Sequence, residues 1–140
     1  MILRRAVEDD APAILPLLRQ LGYDQLDERG ARSKIKSYGL PDYAIIVALV
    51  SGQVVGFISL HVVEIFHSPG KAGRITAFCV DQNFRSQGIG MRLLQEGEDY
   101  FRSEGCIKVE VTSNNRRAAT HEFYVRRGYK DDSKKFVLML

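Results

Sequence analysis

Two periods run through the hydrophobic positions of this 140-residue chain. "ILRRAV" sets Ile2 and Arg4 against Leu3 and Arg5, the period of two that marks a strand. Over "EDDAPAILPLLRQLGY" the period lengthens, and Ile14, Leu17, Leu18 and Leu21 form one stripe of a helix. Asp9 or Asp10 is placed to cap it, and Pro12 falls in its first turn, where a missing N–H costs nothing. Gly22 ends it. Pro16 conflicts with this pattern: inside a helix it kinks the chain unless an early turn accommodates it. "DERGARSKIKSYG" predicts a second, more polar helix with a weak packing face.

The middle of the chain changes character. "DYAIIVALV" and "QVVGFISLHVVEIF" are rich in β-branched and aromatic residues, and Ser51-Gly52 between them suits a two-residue hairpin. "HSPGKAG" is a loop of turn formers, and "RITAFCV" is a further strand. Helical spacing returns from Gly88 to Glu104, where Leu94, Gly97 and Phe101 share a face with Leu93 and Tyr100 beside it. "CIKVEVT" predicts a strand, "RRAATHEFYVRRG" a helix ending at Gly128, and "KKFVLML" a final strand. The order β-α-α-β-β-β-α-β-α-β is that of an α/β chain with antiparallel strands first. The segment from Arg74 to Thr112 predicts a parallel strand–helix–strand crossover. Residues 1–140 form one domain on this reading, without repeats, linkers or low-complexity stretches.

Composition narrows the function classes. Hydrophobic residues are 45% and charged residues 26%, the balance of a globular protein, and the net charge of +3 suits a small anionic ligand. It supplies no basic stripe for nucleic acid. The clusters Arg29/Arg32/Lys34/Lys36, Arg116/Arg117 and Arg126/Arg127 read as solvated helix faces, with contacts to a phosphate-bearing ligand as the alternative. Cys79 and Cys106 lie in strand-like runs and read as reduced core thiols. The two cysteines and three histidines (His61, His67, His121) have no metal-ligand spacing, so no metal is expected. "MILRRAVEDD" turns acidic before any apolar stretch long enough for a signal or a span, so the expected location is the cytoplasm, with no membrane contact.

Chemistry concentrates in "FRSQGIG", residues Phe84 to Gly90, at a strand-to-helix junction. A Walker loop is absent. The dinucleotide pattern fails as well, because Leu93 stands where G-x-G-x-x-G needs its third glycine. What remains is the physics of an anion site. Amides from Gln87 to Gly90 have no helical partners and sit at the positive end of the helix dipole. Gly88 and Gly90 admit close approach and positive φ, and Arg85 adds a charge. The plainer alternative is a simple glycine turn.

"RSQGIG" resembles the Arg/Gln-x-x-Gly-x-Gly/Ala motif of the GCN5-related N-acetyltransferases (GNAT), with Arg85, Gly88 and Gly90 in the motif positions. "SNNRRAATHEFYVRRGY" is similar to that family's closing segment, with Asn115, Phe123-Tyr124 and Gly128-Tyr129 in place. "VVGFISL" and "ILRRAVEDDAPAI" also look like members, so the resemblance spans essentially the whole chain. It implies a mixed central sheet, with antiparallel N-terminal strands, a splayed parallel strand pair and about four flanking helices.

The same resemblance implies acetyl-CoA as co-substrate and a primary amine, small molecule or peptide, as acceptor. Gln87, Gly88, Ile89 and Gly90 would hold the pyrophosphate, with Arg85 and Ser86 at the loop entrance. The pantetheine arm would pair with Phe78, Cys79 and Val80, and Asn115 would hydrogen-bond it. The Val80 amide would stabilise the oxyanion and Tyr124 would protonate the leaving sulfur. On sequence alone, Tyr124 and Phe123 are core aromatics and Asn115 is a helix cap.

The base has no assignment. Many members carry a Glu on the strand before the loop, whereas "RITAFCV" has none. Glu64, His61, His67, Asp81, His121 and a water chain all stay open. Cys79 reads as a buried strand cysteine rather than a nucleophile. The competing class is a catalytically silent acyl-CoA-binding regulatory module of the same fold. A homodimer is the assembly common in the family. The stretches Gly22 to Pro41 and Ile65 to Gly73, which would wall the acceptor site, show no code for its identity.

Overall fold

The computed structural model describes residues 1–112, 118–132 and 135–140, with the backbone alone at 118 and 119. Among these, five strands form one sheet in sequence order: β1 (Ile2–Arg5), β2 (Tyr43–Val50), β3 (Gln53–Glu64), β4 (Lys71–Val80) and β5 (Cys106–Val111). The first four are antiparallel and β5 runs parallel to β4. Four helices accompany them: α1 (Ala11–Gln20), α2 (Glu28–Ser37), α3 (Ile89–Ser103) and α4 (Ala118–Arg126).

Alternation along the strands builds two cores. Ile46, Ala48, Ile58 and Leu60 face α3, where Leu93, Leu94 and Phe101 are buried against them. Val47, Phe57 and Cys79 point the other way, onto Ile14 and Leu17 of α1 and Ala31 and Ile35 of α2. The packing face of α2, weak in the sequence, is therefore two residues wide and still buried. Its start is fixed by Asp27, whose side chain accepts the Gly30 N–H at 2.7 Å. The β2–β3 hairpin turns at Ser51 and Gly52, both at positive φ (49° and 77°), as a primed turn requires. α3 lies close to the sheet because Gly73 and Gly97 have no side chains: a Cβ at Gly73 would stand 2.3 Å from the Phe101 ring.

Three expectations need correction. Asp10 occupies the cap position of α1, but its carboxylate turns back, taking the Val7 N–H at 2.8 Å and both terminal nitrogens of Arg4 at 2.7 and 2.9 Å. A guanidinium fork on the adjacent strand outbids a helix amide. Pro16 sits inside a continuous α1. Lys135–Leu140 is not a strand, since no edge meets it, and Phe136, Val137, Leu138 and Met139 stand in solvent.

The Arg4–Asp10 pair gives a measurable pH dependence. Arg4, chiefly by its hydrogen bonds, holds the Asp10 carboxyl below the usual carboxylate range. A depressed folded pKa contributes stability above the unfolded value, near 3.9, and loses it as pH falls through the folded one. Arg4 is 38% exposed, so the contribution is discounted for screening. Arg4→Met is expected to lower stability by about 1 kcal/mol at pH 7. In urea titrations the gap from wild type should narrow as pH falls below the unfolded value, near 3.9.

Candidate active site

β4 outruns its parallel neighbour. Lys71 to Ile75 pair with β5 from Cys106 to Val111; beyond Ile75 the pairing stops, while β4 continues to Val80. On that side Thr76–Val80 has no strand partner among the described residues. The Asp81 N–H crosses to the Val55 carbonyl at 2.7 Å. By alternation, the N–H and C=O of Phe78 and Val80 then face the open edge, and those of Cys79 face β3. Arg85 agrees with this orientation, donating from Nε to the Val80 carbonyl at 3.1 Å.

The connection to α3 is held from several sides. Asp81 accepts the Asn83 N–H at 3.0 Å in a short 3-10 turn, and the side chain of Gln20, at the end of α1, accepts the Gln82 N–H at 3.0 Å. Ser86 and Gly88 then take left-handed backbone, φ 64° and 80°. The first α3 amide to close a helical bond is that of Arg92, onto the Gly88 carbonyl at 3.2 Å. The amides from Gly88 to Met91 are the unsatisfied donors of the helix start. Ser86, Gln87 and Gly88 are exposed, Gly90 is half-buried and Ile89 is buried in the core. A Cβ on Gly90 would find Phe78, Val80 and Phe123 at 3.7–3.9 Å, so loop, strand end and α4 meet here.

Tyr124 lies on this junction. Its ring is 6.4 Å from Phe78, 5.6 Å from Phe123 and 5.5 Å from Tyr129. It is 7% exposed, and burial pushes its hydroxyl up to about 12. The burial bears out the core reading of this residue. Its helix is pinned at the C-terminus. Gly128, φ 93°, reverses the chain so that the Tyr129 N–H reaches the Tyr124 carbonyl at 3.0 Å. The Tyr129 hydroxyl then donates to Glu98 at 2.8 Å, and Arg127 donates to the same carboxylate at 2.9 Å. Burial, then the bond to Glu98, raises the Tyr129 pKa. A buried acid on α3 thus fixes the helix that carries Tyr124. The sequence signalled Gly128-Tyr129 but not this partner.

The sequence also gave no sign of a hydroxyl cluster on β4. Ser59 pairs with Ala77 and Leu60 with Ile75, which leaves Thr76 as the extra residue of a β-bulge. Its Oγ1 lies 2.7 Å from the Ser59 hydroxyl and 3.1 Å from that of Tyr38. Tyr38 in turn meets Tyr43 edge-on, and Tyr43 stacks on His61 at 4.3 Å. The base candidates are dispersed. His61 is in this stack, Glu64 and His67 are exposed at and beyond the end of β3, Asp81 caps the 3-10 turn, and His121 faces Asp131 at 3.6 Å. Asn115 lies outside the described residues. Among those described, no cluster of His, Cys, Asp or Glu would hold a metal ion, and no helix is long and apolar enough to cross a membrane.

A mixed sheet that splays at a glycine turn, with a tyrosine at the split, has the architecture of an acetyltransferase. Residues 11–129 match the profile of the Acetyltransferase (GNAT) family, and the chain belongs to that family. It is 33% identical over 139 residues to the aminoalkylphosphonate N-acetyltransferase of Salmonella typhimurium, covering 99% of this chain and 90% of that one. It is 31% identical over 91 residues to the glucosamine 6-phosphate N-acetyltransferase of Trypanosoma brucei brucei, covering 64% of this chain and 60% of that one. A putative acetyltransferase from Agrobacterium tumefaciens superposes over the whole of both chains with a TM-score of 0.87 at 22% identity, a likeness of fold.

Proposed function

We propose that this acetyltransferase moves an acetyl group from acetyl-CoA to a primary amine by direct attack in a ternary complex. The observation that carries the reading is the open β4 edge, Thr76–Val80, running into the Gly88 turn with Tyr124 packed across from Phe78. The pyrophosphate occupies the amides at the start of α3, a site that combines unpaired donors with the helix dipole. The pantetheine amides take the outward N–H and C=O groups of Phe78, adding in effect a short strand to the sheet, and the Val80 N–H is kept for the thioester.

The amine lone pair attacks the thioester carbonyl, whose electrons move to oxygen. The Val80 N–H, aimed at the open edge, meets that oxyanion. As the carbon–oxygen double bond reforms, the C–S bond breaks and CoA leaves as thiolate, facing the Tyr124 hydroxyl. The amine's proton must also leave. The described part of β4 offers no carboxylate there, and the nearby polar groups are the Thr76 and Tyr38 hydroxyls. Proton loss through water needs no direct base contact.

The test is mass detection of product with acetyl-CoA and an amine panel. The names of the two relatives place aminoalkylphosphonates and an amino-sugar phosphate first in that panel. Amine-dependent release of CoA with a product heavier by one acetyl group is the expected result. Tight acetyl-CoA binding with no turnover on any amine would favour the silent binding module instead.

A further inference from the structure

The loop that leads into α3 carries backbone strain. Ser86 bears a side chain at φ 64°, and Gly88 follows at 80°. A left-handed residue with a side chain persists only where its surroundings over-determine it. The constraints begin at the 3-10 turn Gln82–Phe84, between β4 and the loop. Inside the turn, the Asp81 side chain accepts the Asn83 N–H at 3.0 Å and the Asp81 carbonyl accepts the Phe84 N–H at 2.8 Å. Those bonds are local: they fix the shape of the turn, not where it stands. Its place comes from other elements. Phe84 packs against the core under α3, and the Asp81 N–H reaches the Val55 carbonyl of β3 at 2.7 Å. From α1, the Gln20 side chain accepts the Gln82 N–H at 3.0 Å with its oxygen, and its nitrogen lies 3.5 Å from the Asp81 carboxylate. The sequence explains why Gln20 stands there. Ile14 and Leu17 lie on the buried stripe of α1, and position 20 is one turn beyond Leu17 on the same face. The stripe becomes polar where β4 ends. The helix end is itself fixed, because Gly22, φ 95°, reverses the chain and the Tyr23 N–H closes on the Leu18 carbonyl at 2.9 Å.

We propose that Gln20 is a positioning residue for the cofactor. It acts through the turn and not on the reacting atoms. By holding Asp81 and Gln82 it sets the direction in which the left-handed loop leaves β4, and so the direction in which the amides from Gly88 to Met91 point at the pyrophosphate. A charge-assisted bond to phosphate is strong only when its donor is well aimed, so a small rotation of the loop weakens several at once. α1 thereby serves the cofactor site through a contact outside it. The two N-terminal helices meet β4 a second time at its bulge, where the hydroxyl of Tyr38, at the end of α2, lies 3.1 Å from that of Thr76. Polar side chains from this helix pair therefore bracket the open edge Thr76–Val80 at both ends. The inference rests on the acetyl-CoA reading of the loop and adds a residue to it that no glycine motif contains.

Gln20→Met keeps the reach of the side chain and removes both hydrogen bonds. Calorimetry is expected to show a Kd for acetyl-CoA raised about tenfold, as for the loss of roughly one well-aimed phosphate bond. S-acetyl-pantetheine, which lacks the pyrophosphate, separates positioning from general damage: kcat/KM with this donor should stay within about twofold of wild type, while kcat/KM with acetyl-CoA falls about tenfold. Hydrogen exchange should show the Gln82 amide losing protection in the variant. Equal losses with the two donors overturn the proposal, because the whole cleft would then have shifted. Unchanged affinity for acetyl-CoA, or unchanged protection of the Gln82 amide, overturns it too and leaves Gln20 a contact of the helix end. The donor comparison is a ratio within one protein, so a partly destabilised variant still answers. A wild type that binds no acetyl-CoA would defeat the reading of the loop before any variant is compared, and this inference with it.

Discussion

Gly90→Leu is expected to abolish tight acetyl-CoA binding, raising Kd about 100-fold or more. The amides it would cover are the unsatisfied donors at the start of α3, each of which, on the proposed reading, forms a charge-assisted bond to phosphate. Two such bonds lost at about 1.5 kcal/mol each come to about 3 kcal/mol, or roughly 100-fold. The structure separates this effect from damage to the fold. A Cβ at Gly90 meets only ordinary contacts of 3.7–3.9 Å, so Gly90→Ala should fold with little loss of stability and bind more weakly than wild type. Gly73 is the contrast, where the 2.3 Å approach to Phe101 makes the missing side chain a packing requirement. Gly88 is a third case: a Cβ there points into open space, but φ of 80° strains any L side chain. Gly88→Ala is expected to cost about 1–2 kcal/mol of stability through its backbone alone. Calorimetry with acetyl-CoA, alongside a melting curve for each variant, distinguishes the three. A folded Gly90→Leu protein that binds acetyl-CoA as wild type does would remove the loop from the cofactor site.

What the sequence made legible was what local physics decides. Ser51-Gly52 between two β-rich runs fixes a hairpin because only a two-residue turn with positive φ joins them. "QGIG" before a helical stripe marks a helix start that needs left-handed backbone. Asp10 defeated the same logic: capping is a local rule, and Arg4 offered a stronger partner from a different element. The bulge at Thr76 was invisible for a related reason. It is a mismatch of register between β3 and β4, and nothing within "RITAFCV" declares it. The Glu98 carboxylate that holds Tyr129 and Arg127 lies about thirty residues before them, beyond the reach of any spacing rule. "KKFVLML" has the composition of a strand, but a strand exists only against an edge, and a sequence does not say whose. Val80 is intermediate. Its place on a strand was legible in "RITAFCV" and its role came with the family resemblance, whereas the outward direction of its amide needed the Asp81–Val55 bond to establish parity.

Tyr124→Phe is expected to lower kcat about tenfold to thirtyfold while leaving KM for acetyl-CoA nearly unchanged, because in the proposed mechanism the hydroxyl acts on the departing sulfur and not on the bound thioester. The limit comes from the residue's own environment. Burial pushes the Tyr124 hydroxyl up to about 12. A CoA thiol has a pKa near 8.5, so complete proton transfer from phenol to thiolate would be uphill by about 3.5 units, or about 5 kcal/mol. On the proposed mechanism Tyr124 therefore serves as a hydrogen-bond donor to sulfur as negative charge develops, with the proton mostly retained on the phenol. This places the effect at the weak end of the range for general acids, about 100-fold and upwards, or below it. It also fixes the pH behaviour. A phenol near 12 stays protonated throughout the working range, so any alkaline fall in kcat below about pH 10 belongs to another group and should persist in the Phe variant. If instead the variant lost that limb, Tyr124 would be titrating in the ternary complex, and its buried contacts with Phe78 and Tyr129 would not describe the catalytic state. An unchanged kcat would leave Tyr124 as a core aromatic.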